Sequence, residues 1–346
     1  MGKVGKFDAI LVVSFGGPEG RDEVMPFLEN VLRGKNVPHE RMLEVAEHYQ
    51  HFGGVSPINA QNRALIEGLR EEIRGTPGEL PIYFGNRNWQ PFLADALRQM
   101  RADGVQRAIA FFTSAFSSYS GCRQYRENIE AARAEVGEGA PKIEKLRVFY
   151  NHPGFIEPMA ERIGDAIRRL PIAERAEAKV LFAAHSIPKA MADKCNYEKQ
   201  FLEASRLVAE RLGLGPTQWQ VVYQSRSGPP SQPWLEPDVL QVLREMAESK
   251  EGRAVVIAPI GFISDHMEVM YDLDYEAAHL CSELGIRMER AGTVGTHPRF
   301  VQMIRELVEE RLSESPVRLA IGHYGPSHDV CPVDCCEYSP RRPLPA

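Results

Sequence analysis

No apolar run in this 346-residue chain is long enough to cross a bilayer. The longest, "AILVVSF", "AIAFF" and "AVVIAPIGFI", fall far short of the roughly 20 residues that a helical span needs. Excess positive charge is also missing. The 41 Lys and Arg are outweighed by 47 Asp and Glu, for a net charge of −6, so nothing points to nucleic acid or an acidic membrane as partner. The N-terminal "MGKVGKFDAILVV" has basic residues before an apolar run but no small-residue cleavage pattern after it. It reads as a first strand and not a signal peptide, and the expected location is the cytoplasm. The paired glycines of "SFGGPEG" and "HFGGVSP" do not complete G-x-G-x-x-G, and P-loop, G-x-S-x-G and H-E-x-x-H patterns are lacking. Trp89, Trp219 and Trp234 are the only tryptophans, and they read as packing residues, not as a stacking platform for bases. Six cysteines in a chain of this size do not make a secreted disulfide scaffold. Clustered in the cytosol, they point to metal or redox chemistry.

What is present is ordinary soluble composition, 43% hydrophobic and 25% charged, arranged as two copies of one pattern. "FDAILVVSF", "PIYFGNR" and "QRAIAFFTSAF" alternate with helical segments such as "PFLADALRQMRADG", the order that builds a parallel sheet with crossover helices. The pattern then recurs. "AILVVSFGGP" resembles "KVLFAAHSIP", "YNHPGFIEPMAERI" resembles "VGTHPRFVQMIREL", and "IYFGNRNWQPFLADAL" resembles the segment from "VYQSRSG" to "PWLEPDVLQVL". Three matches in one order indicate a duplicated α/β unit. The expected division is residues 1–172 for the first half, 173–325 for the second and 326–346 for a cysteine- and proline-rich tail. The first half carries an additional stretch, "PHERMLEVAEHYQHFGGVSPINAQN", of the kind that walls or covers a site.

The alignment sets Phe15 against His185, each just past the end of its first strand, where open parallel sheets bind ligands. His185 is suited to moving protons near neutral pH; a hydrogen-bonded structural histidine is the plainer reading. "DHMEVMYDLDYE" spans Asp265 to Glu276 with no Lys or Arg. Helical spacing puts Glu268, Asp272 and Glu276 on one face, where like charges cost roughly 0.2–0.5 kcal/mol per pair. A solvated face accounts for this, as does a row that meets cations or protons. Cys331, Cys335 and Cys336 crowd the tail. Cys122 is the first choice for a fourth soft ligand, ahead of Cys195 and Cys281, and four thiolates suit zinc or an iron–sulfur cluster. A tail with free thiols is the plain alternative.

Together "SFGGPEG", "HYQHFGGVSPIN", "FGNRNWQPF", "AAHSIP", "QSRSGPPSQPWLEPD" and "GFISDHMEVMYDLDYE" resemble the ferrochelatase family, from "FDAILVV" to "LVEERL". The tail makes the chain most similar to the soluble bacterial branch acting on coproporphyrin III. The resemblance implies an α/β fold of two similar Rossmann-like halves, doubly wound parallel sheets with a porphyrin cleft between them. It implies a lyase-type metal chelatase of haem biosynthesis that inserts Fe2+ into coproporphyrin III to give its iron complex. Protoporphyrin IX is the alternative porphyrin, cobalt the alternative metal, and a non-catalytic porphyrin or haem carrier the alternative function. By similarity His185 is catalytic base and metal-side ligand, Glu268 its carboxylate partner, and Asp272 and Glu276 a route for protons or metal. Ser56 and Tyr125 approach the porphyrin or its propionates. Phe15 stands where many coproporphyrin enzymes have an iron-ligating tyrosine, so it is left to stack on the macrocycle. Family members with a [2Fe–2S] cluster hold it on four cysteines, a role that falls here on Cys122, Cys331, Cys335 and Cys336. The expected partners are porphyrin and ferrous iron, with transient contacts to other haem-pathway enzymes; the expected state is a monomer.

Overall fold

The structure, a computed structural model, describes residues 7–34, 37–229, 231–249 and 253–338. Residues 1–6 of the expected first half, Pro230 of the "QSRSGPPSQPW" motif and residues 339–346 of the tail lie outside the described residues. Among those described, eight strands form two four-stranded sheets. The first holds β1 (Ala9–Ser14), β2 (Ile82–Asn86), β3 (Arg107–Phe112) and β4 (Lys142–Lys145) in the order β2-β1-β3-β4. The second holds β5 (Lys179–His185), β6 (Trp219–Gln224), β7 (Ala254–Ala258) and β8 (Arg287–Arg290) in the order β6-β5-β7-β8. All pairings are parallel. The central strands are near-continuous apolar runs because helices cover both faces; every residue of β1 and β7 is buried. The fold is thus α/β with two similar halves, as the alternation in the sequence leads one to expect.

Register makes the duplication exact to the residue. Asn86 bridges Phe92, and Tyr223 bridges Asp238, both in parallel. Ser14 pairs with Asn86, and Ala184 with Tyr223. The next residues, Phe15 and His185, are therefore equivalent. Both follow strands flanked by connections that leave to opposite sides, the switch point where such sheets open a crevice. The matched "NHP" and "THP" motifs form one kind of helix start. His152 Nδ1 accepts from Gly154 N at 3.0 Å, and His297 Nδ1 from Arg299 N at 3.2 Å, each ahead of a first-turn proline that has no N–H to satisfy.

The halves are interlocked by exchanged helices. Helix Pro153–Arg169 follows β4 yet packs on helix Tyr197–Leu212 and on β7 and β8, while helix Pro298–Leu312 follows β8 yet packs on helix Ile58–Ile73 of the first half. One core therefore runs through both sheets, with Phe149 5.5 Å from Phe155 and 5.7 Å from Phe300, ring to ring. Truncating a phenylalanine buried this completely costs about 3–5 kcal/mol. Arg147, 2% exposed, adds a polar clamp: its Nε and Nη2 donate to both carboxylate oxygens of Glu310 on helix Pro298–Leu312.

Candidate active site

His185 ends β5, and the row of acids begins one loop beyond β7. Parallel pairing of β5 with β7 brings the two together. His185 Nε2 lies 3.4 Å from Glu268 Oε1, and the Nδ1 edge bonds the Ser186 carbonyl. The side chains are 30% and 47% exposed, so cleft water reaches both and screens part of their attraction. Burial opposes a charge on His185, but Glu268, the Ser186 carbonyl and Asp272 outweigh it and raise the imidazole to about 9. Burial likewise pushes Glu268 upward, but the His185 charge and hydrogen bond bring it down to about 2. Each group thus favours the charged form of the other. Tyr197 OH donates to the His185 carbonyl at 2.9 Å and holds the strand end.

The acidic row is helical, but not in the ordinary way. A short turn, Met267–Val269, runs into a π-helical segment, Met270–Ala277. Such i→i+5 segments are rare and concentrate at functional sites. His266 caps the start, its Nδ1 accepting from Glu268 N at 3.2 Å. Asp272 is raised to about 7, first by burial and then by Glu268 and Glu276, against the Ser225 bond. Glu276 is also raised, by burial and by Asp238. The other two acids do not join them: Arg290 binds Asp274 through Nε at 2.6 Å and Asp265 through Nη1 at 3.0 Å. Arg290 thus neutralises Asp265 and Asp274, while Glu268 and Asp272 stay beside His185.

The added stretch of the first half closes over this helix. Helix His39–His51 stacks His48 on Tyr271 with centroids 3.6 Å apart and sets His51 4.4 Å from Tyr275. Phe15 faces the cleft at 37% exposure, edge-on to Phe27, with the Arg87 guanidinium 5.8 Å over its ring. Ser56 and Tyr125 are both buried. Ser56 lies behind Gly17, where an added Cβ would come within 2.7 Å of the serine Cβ. Tyr125 packs on Phe112 at 5.1 Å and under Arg87 at 4.5 Å.

The tail folds back so that its thiols meet Cys122. That residue sits on another π-helical segment, Tyr119–Arg123, after the third strand of its sheet just as the acidic row follows the third strand of its own. Cys122 and Cys331 are close enough to bias each other's ionisation: the pairing holds the Cys122 thiol high and lowers Cys331, with Lys145, His328 and Arg126 adding to the second effect. Cys335 Sγ and Cys336 Sγ are 3.5 Å apart, and donor atoms of His328, Cys331 and Cys335 lie within 4.8 Å of one another. Of the two weaker candidates, Cys281 is buried in the second-half core. Cys195 lies close enough to Cys335 and Cys336 for their charges to interact, its Sγ donating to the Met191 carbonyl at 3.3 Å. Sequence reasoning missed Arg290, Arg87, Gln224, Ser225 and His328. Gln224 and Ser225 stand in the quoted "QSRSG" motif, whereas Arg290 carries no local signal at all.

Comparison with solved structures defines the class first. SirB from Bacillus subtilis, solved with Fe3+, superposes with a TM-score of 0.57 over 89% of this chain and 96% of its own, at 12% identity; the two share a fold. A sequence model of the Ferrochelatase family matches residues 7–312, and the chain belongs to that family of metal chelatases, lyase-type enzymes. Its relatives include the "Ferrochelatase" of Rhodopirellula baltica, 63% identical over 99% of this chain and 97% of that protein. The "Coproporphyrin III ferrochelatase" of Streptomyces coelicolor is 49% identical over 98% and 96%. That of Frankia alni is 50% identical over 96% and 87%. No helix among the described residues is long and apolar enough to cross a membrane.

Proposed function

We propose that the protein inserts Fe2+ into coproporphyrin III, releasing two protons and the iron porphyrin. The observation that carries this is His185 at a strand end, 3.4 Å from Glu268 at the head of an acidic row, in a chain whose residues 7–312 match the Ferrochelatase family. Relatives named for coproporphyrin III at about half identity support that porphyrin. In this reading residues up to 172 carry the stacking wall, residues 173–325 the base and the acids, and the tail closes the molecule.

The residues divide the work as follows. At rest His185 is protonated and paired, and therefore not yet a base. An approaching Fe2+ brings two positive charges to the pair and lowers the imidazole's affinity for its proton. The proton leaves along Asp272, whose carboxyl at about 7 takes and gives protons near neutrality. Neutral His185 Nε2 then accepts a pyrrole proton, Glu268 stabilises the imidazolium formed, and the same route discharges it. Repeating the step removes the second proton. Phe15 holds the opposite face of the macrocycle by stacking and supplies no ligand to the iron.

The four thiols Cys122, Cys331, Cys335 and Cys336 hold a [2Fe–2S] cluster in this proposal. Their convergence from two distant segments supports it, since four cysteine ligands are the usual set for such a cluster. The test of the activity is anaerobic: Fe2+ with coproporphyrin III or protoporphyrin IX, followed by absorbance. Faster formation of the coproporphyrin complex is expected, and no metalloporphyrin from either substrate defeats the proposal. Iron and sulfide analysis of the same preparation tests the cluster.

A further inference from the structure

The end of β6 lies against the acidic row, and the reaction as described gives it no task. Gln224 is the sheet partner of His185, so the two are neighbouring rungs. His185 reaches the side chain of Glu268; Gln224 reaches its main chain. The buried Gln224 amide donates to the Glu268 carbonyl at 3.1 Å and to Asp272 Oδ2 at 3.2 Å. The Ser225 hydroxyl donates to the same Asp272 oxygen.

Two features mark this as more than packing. Gln224 Oε1 is buried without a protein partner, although buried amide oxygens are nearly always bonded. The amide's orientation follows its donors, which are aimed at the row. Ser225 has a φ of +60°, the left-handed region that residues other than glycine, asparagine and aspartate rarely enter. Strained backbone of this kind persists where the surroundings impose it, and it clusters at functional sites. Here it turns the hydroxyl onto Asp272. At the junction of the α-turn and the π-segment the donor register shifts by one residue, and Gln224 supplies the Glu268 carbonyl with a donor from outside the helix.

We propose that Gln224 and Ser225 are positioning residues for metal insertion. Together they hold the Glu268 backbone and the Asp272 carboxylate at a fixed offset from His185, so that the first step along the row is short and constant. The proposal rests on the chelatase reading above. Losing the hydroxyl leaves Asp272 on the longer Gln224 bond alone, so that the carboxylate is held less firmly, which slows turnover without weakening porphyrin binding.

The experiment compares Ser225→Ala, Ser225→Gly, Ser225→Asn and Asp272→Asn, with the Ser225→Ala/Asp272→Asn double variant, for kcat, both KM values and Tm. Ser225→Ala is expected to lower kcat about tenfold, in line with the cost of small misplacements, while the porphyrin KM moves by less than about twofold. Ser225→Gly relieves the backbone, so its Tm holds or rises while kcat falls as in Ser225→Ala. Ser225→Asn tolerates the left-handed region and brings a donor, so it recovers much of the loss. In the Asp272→Asn background, Ser225→Ala adds nothing. Full activity in Ser225→Gly, or losses that multiply in the double variant, overturns the proposal while leaving the chelatase reading intact. Wild-type protein that metallates neither porphyrin overturns both.

Discussion

The first half ends its leading strand on Phe15 and the second ends its own on His185, at positions equivalent in sheet register. Everything around the two residues has diverged to match. Phe15 lies edge-on to Phe27, which in turn lies edge-on to Trp89, with the Arg87 guanidinium over the Phe15 ring, an aromatic wall with one cation. His185 sits among Glu268, Asp272 and His266, groups that exchange protons. The π-helical segments have diverged too, one carrying Cys122 and the other the acidic row. On the proposed chemistry, the duplicated frame sets up a cleft with a passive face and a reactive face. The chemistry follows from which half supplies the acids, not from the backbone, which is shared.

The largest test of that contrast removes the base. His185→Ala is expected to lower metal insertion by at least about a hundredfold, the usual contribution of a positioned acid–base group. Porphyrin binding, read by fluorescence quenching, should stay within about tenfold, or roughly 1.4 kcal/mol. Moving the imidazole across sharpens the comparison. Phe15→His in the His185→Ala background restores no turnover, because Phe15 has no carboxylate row beside it. The same change should alter the visible spectrum of the bound iron porphyrin, since an imidazole there can ligate iron. Rescue of turnover by Phe15→His would mean that the reactive face is not fixed by the acids.

A second test breaks the link between halves. Arg147 leaves the first sheet and Glu310 belongs to the exchanged helix, and both are almost fully buried. Arg147→Met strips Glu310 of its bidentate partner, although Arg318 remains 2.9 Å from Oε1. Loss of one partner of a buried pair costs about 3–5 kcal/mol, with the lower end expected here. Urea unfolding measures it, and a change below about 1 kcal/mol would show that the halves do not depend on this clamp.

A third test uses the paired histidine caps. Burial, reinforced by Arg147 and Arg299, drops His152 from 6.5 to about 3, and outweighs the Glu306 carboxylate 3.5 Å from its Nε2, which Arg299 already neutralises. The native protein refuses a proton that the unfolded chain accepts below pH 6.5. Stability therefore falls as pH drops from about 6.5 to about 3 and is unaffected by this group above that window, with a limiting slope of about 1.4 kcal/mol per pH unit. His152→Asn keeps a cap acceptor and removes the titration. Its stability relative to wild type should rise steadily between pH 6.5 and 4.5, as followed by urea unfolding at each pH. Parallel curves would rule the group out as the source.

Much of this arrangement was legible in the residues. Strand and helix periodicity, the order of the three repeated motifs and the His185 strand end all stand in local sequence, and local sequence is what periodicity reports. Less was legible where partners are distant. Arg290 sorts the acids into neutralised and available ones from β8, 16 residues beyond Asp274, and nothing near it marks that role. The π-helical geometry is equally silent, because acids at i, i+4 and i+8 share a face of an ordinary helix too. The helix exchange was hidden for another reason: two similar amphipathic helices carry no mark of which sheet they cover. The burial of Ser56 and Tyr125 depends on Gly17 and Arg87, contacts made across the fold.

The smallest expected effect concerns the tail, which, like the added stretch of the first half, the duplication does not account for. Were the proposed cluster its only fastening, losing a ligand would free the whole segment. The segment from residue 313 that leads into the tail, and the tail itself, have other fastenings. Asn151 Nδ2 donates to the Tyr324 carbonyl at 2.7 Å, Arg147 Nη2 to the Leu319 carbonyl at 2.8 Å and Arg123 Nη1 to the Val333 carbonyl at 3.0 Å. Arg318 also holds Asp329 at 3.2 Å, and Gln232 holds Tyr338 at 3.3 Å. These bonds come from both halves and involve no thiol. Cys331→Ser, or the same change at Cys122, Cys335 or Cys336, should therefore bleach the visible absorption of anaerobically purified protein while lowering Tm by only a few degrees, roughly 2–4 °C for about 1 kcal/mol in a chain of this size. Asn151→Ala should loosen the segment that leads into the tail, in wild type and in Cys331→Ser by similar amounts, because the two fastenings act at separate places. A Tm drop above about 10 °C in Cys331→Ser, with Asn151→Ala then adding nothing, would reverse the order and make the cluster the fastening on which the others depend.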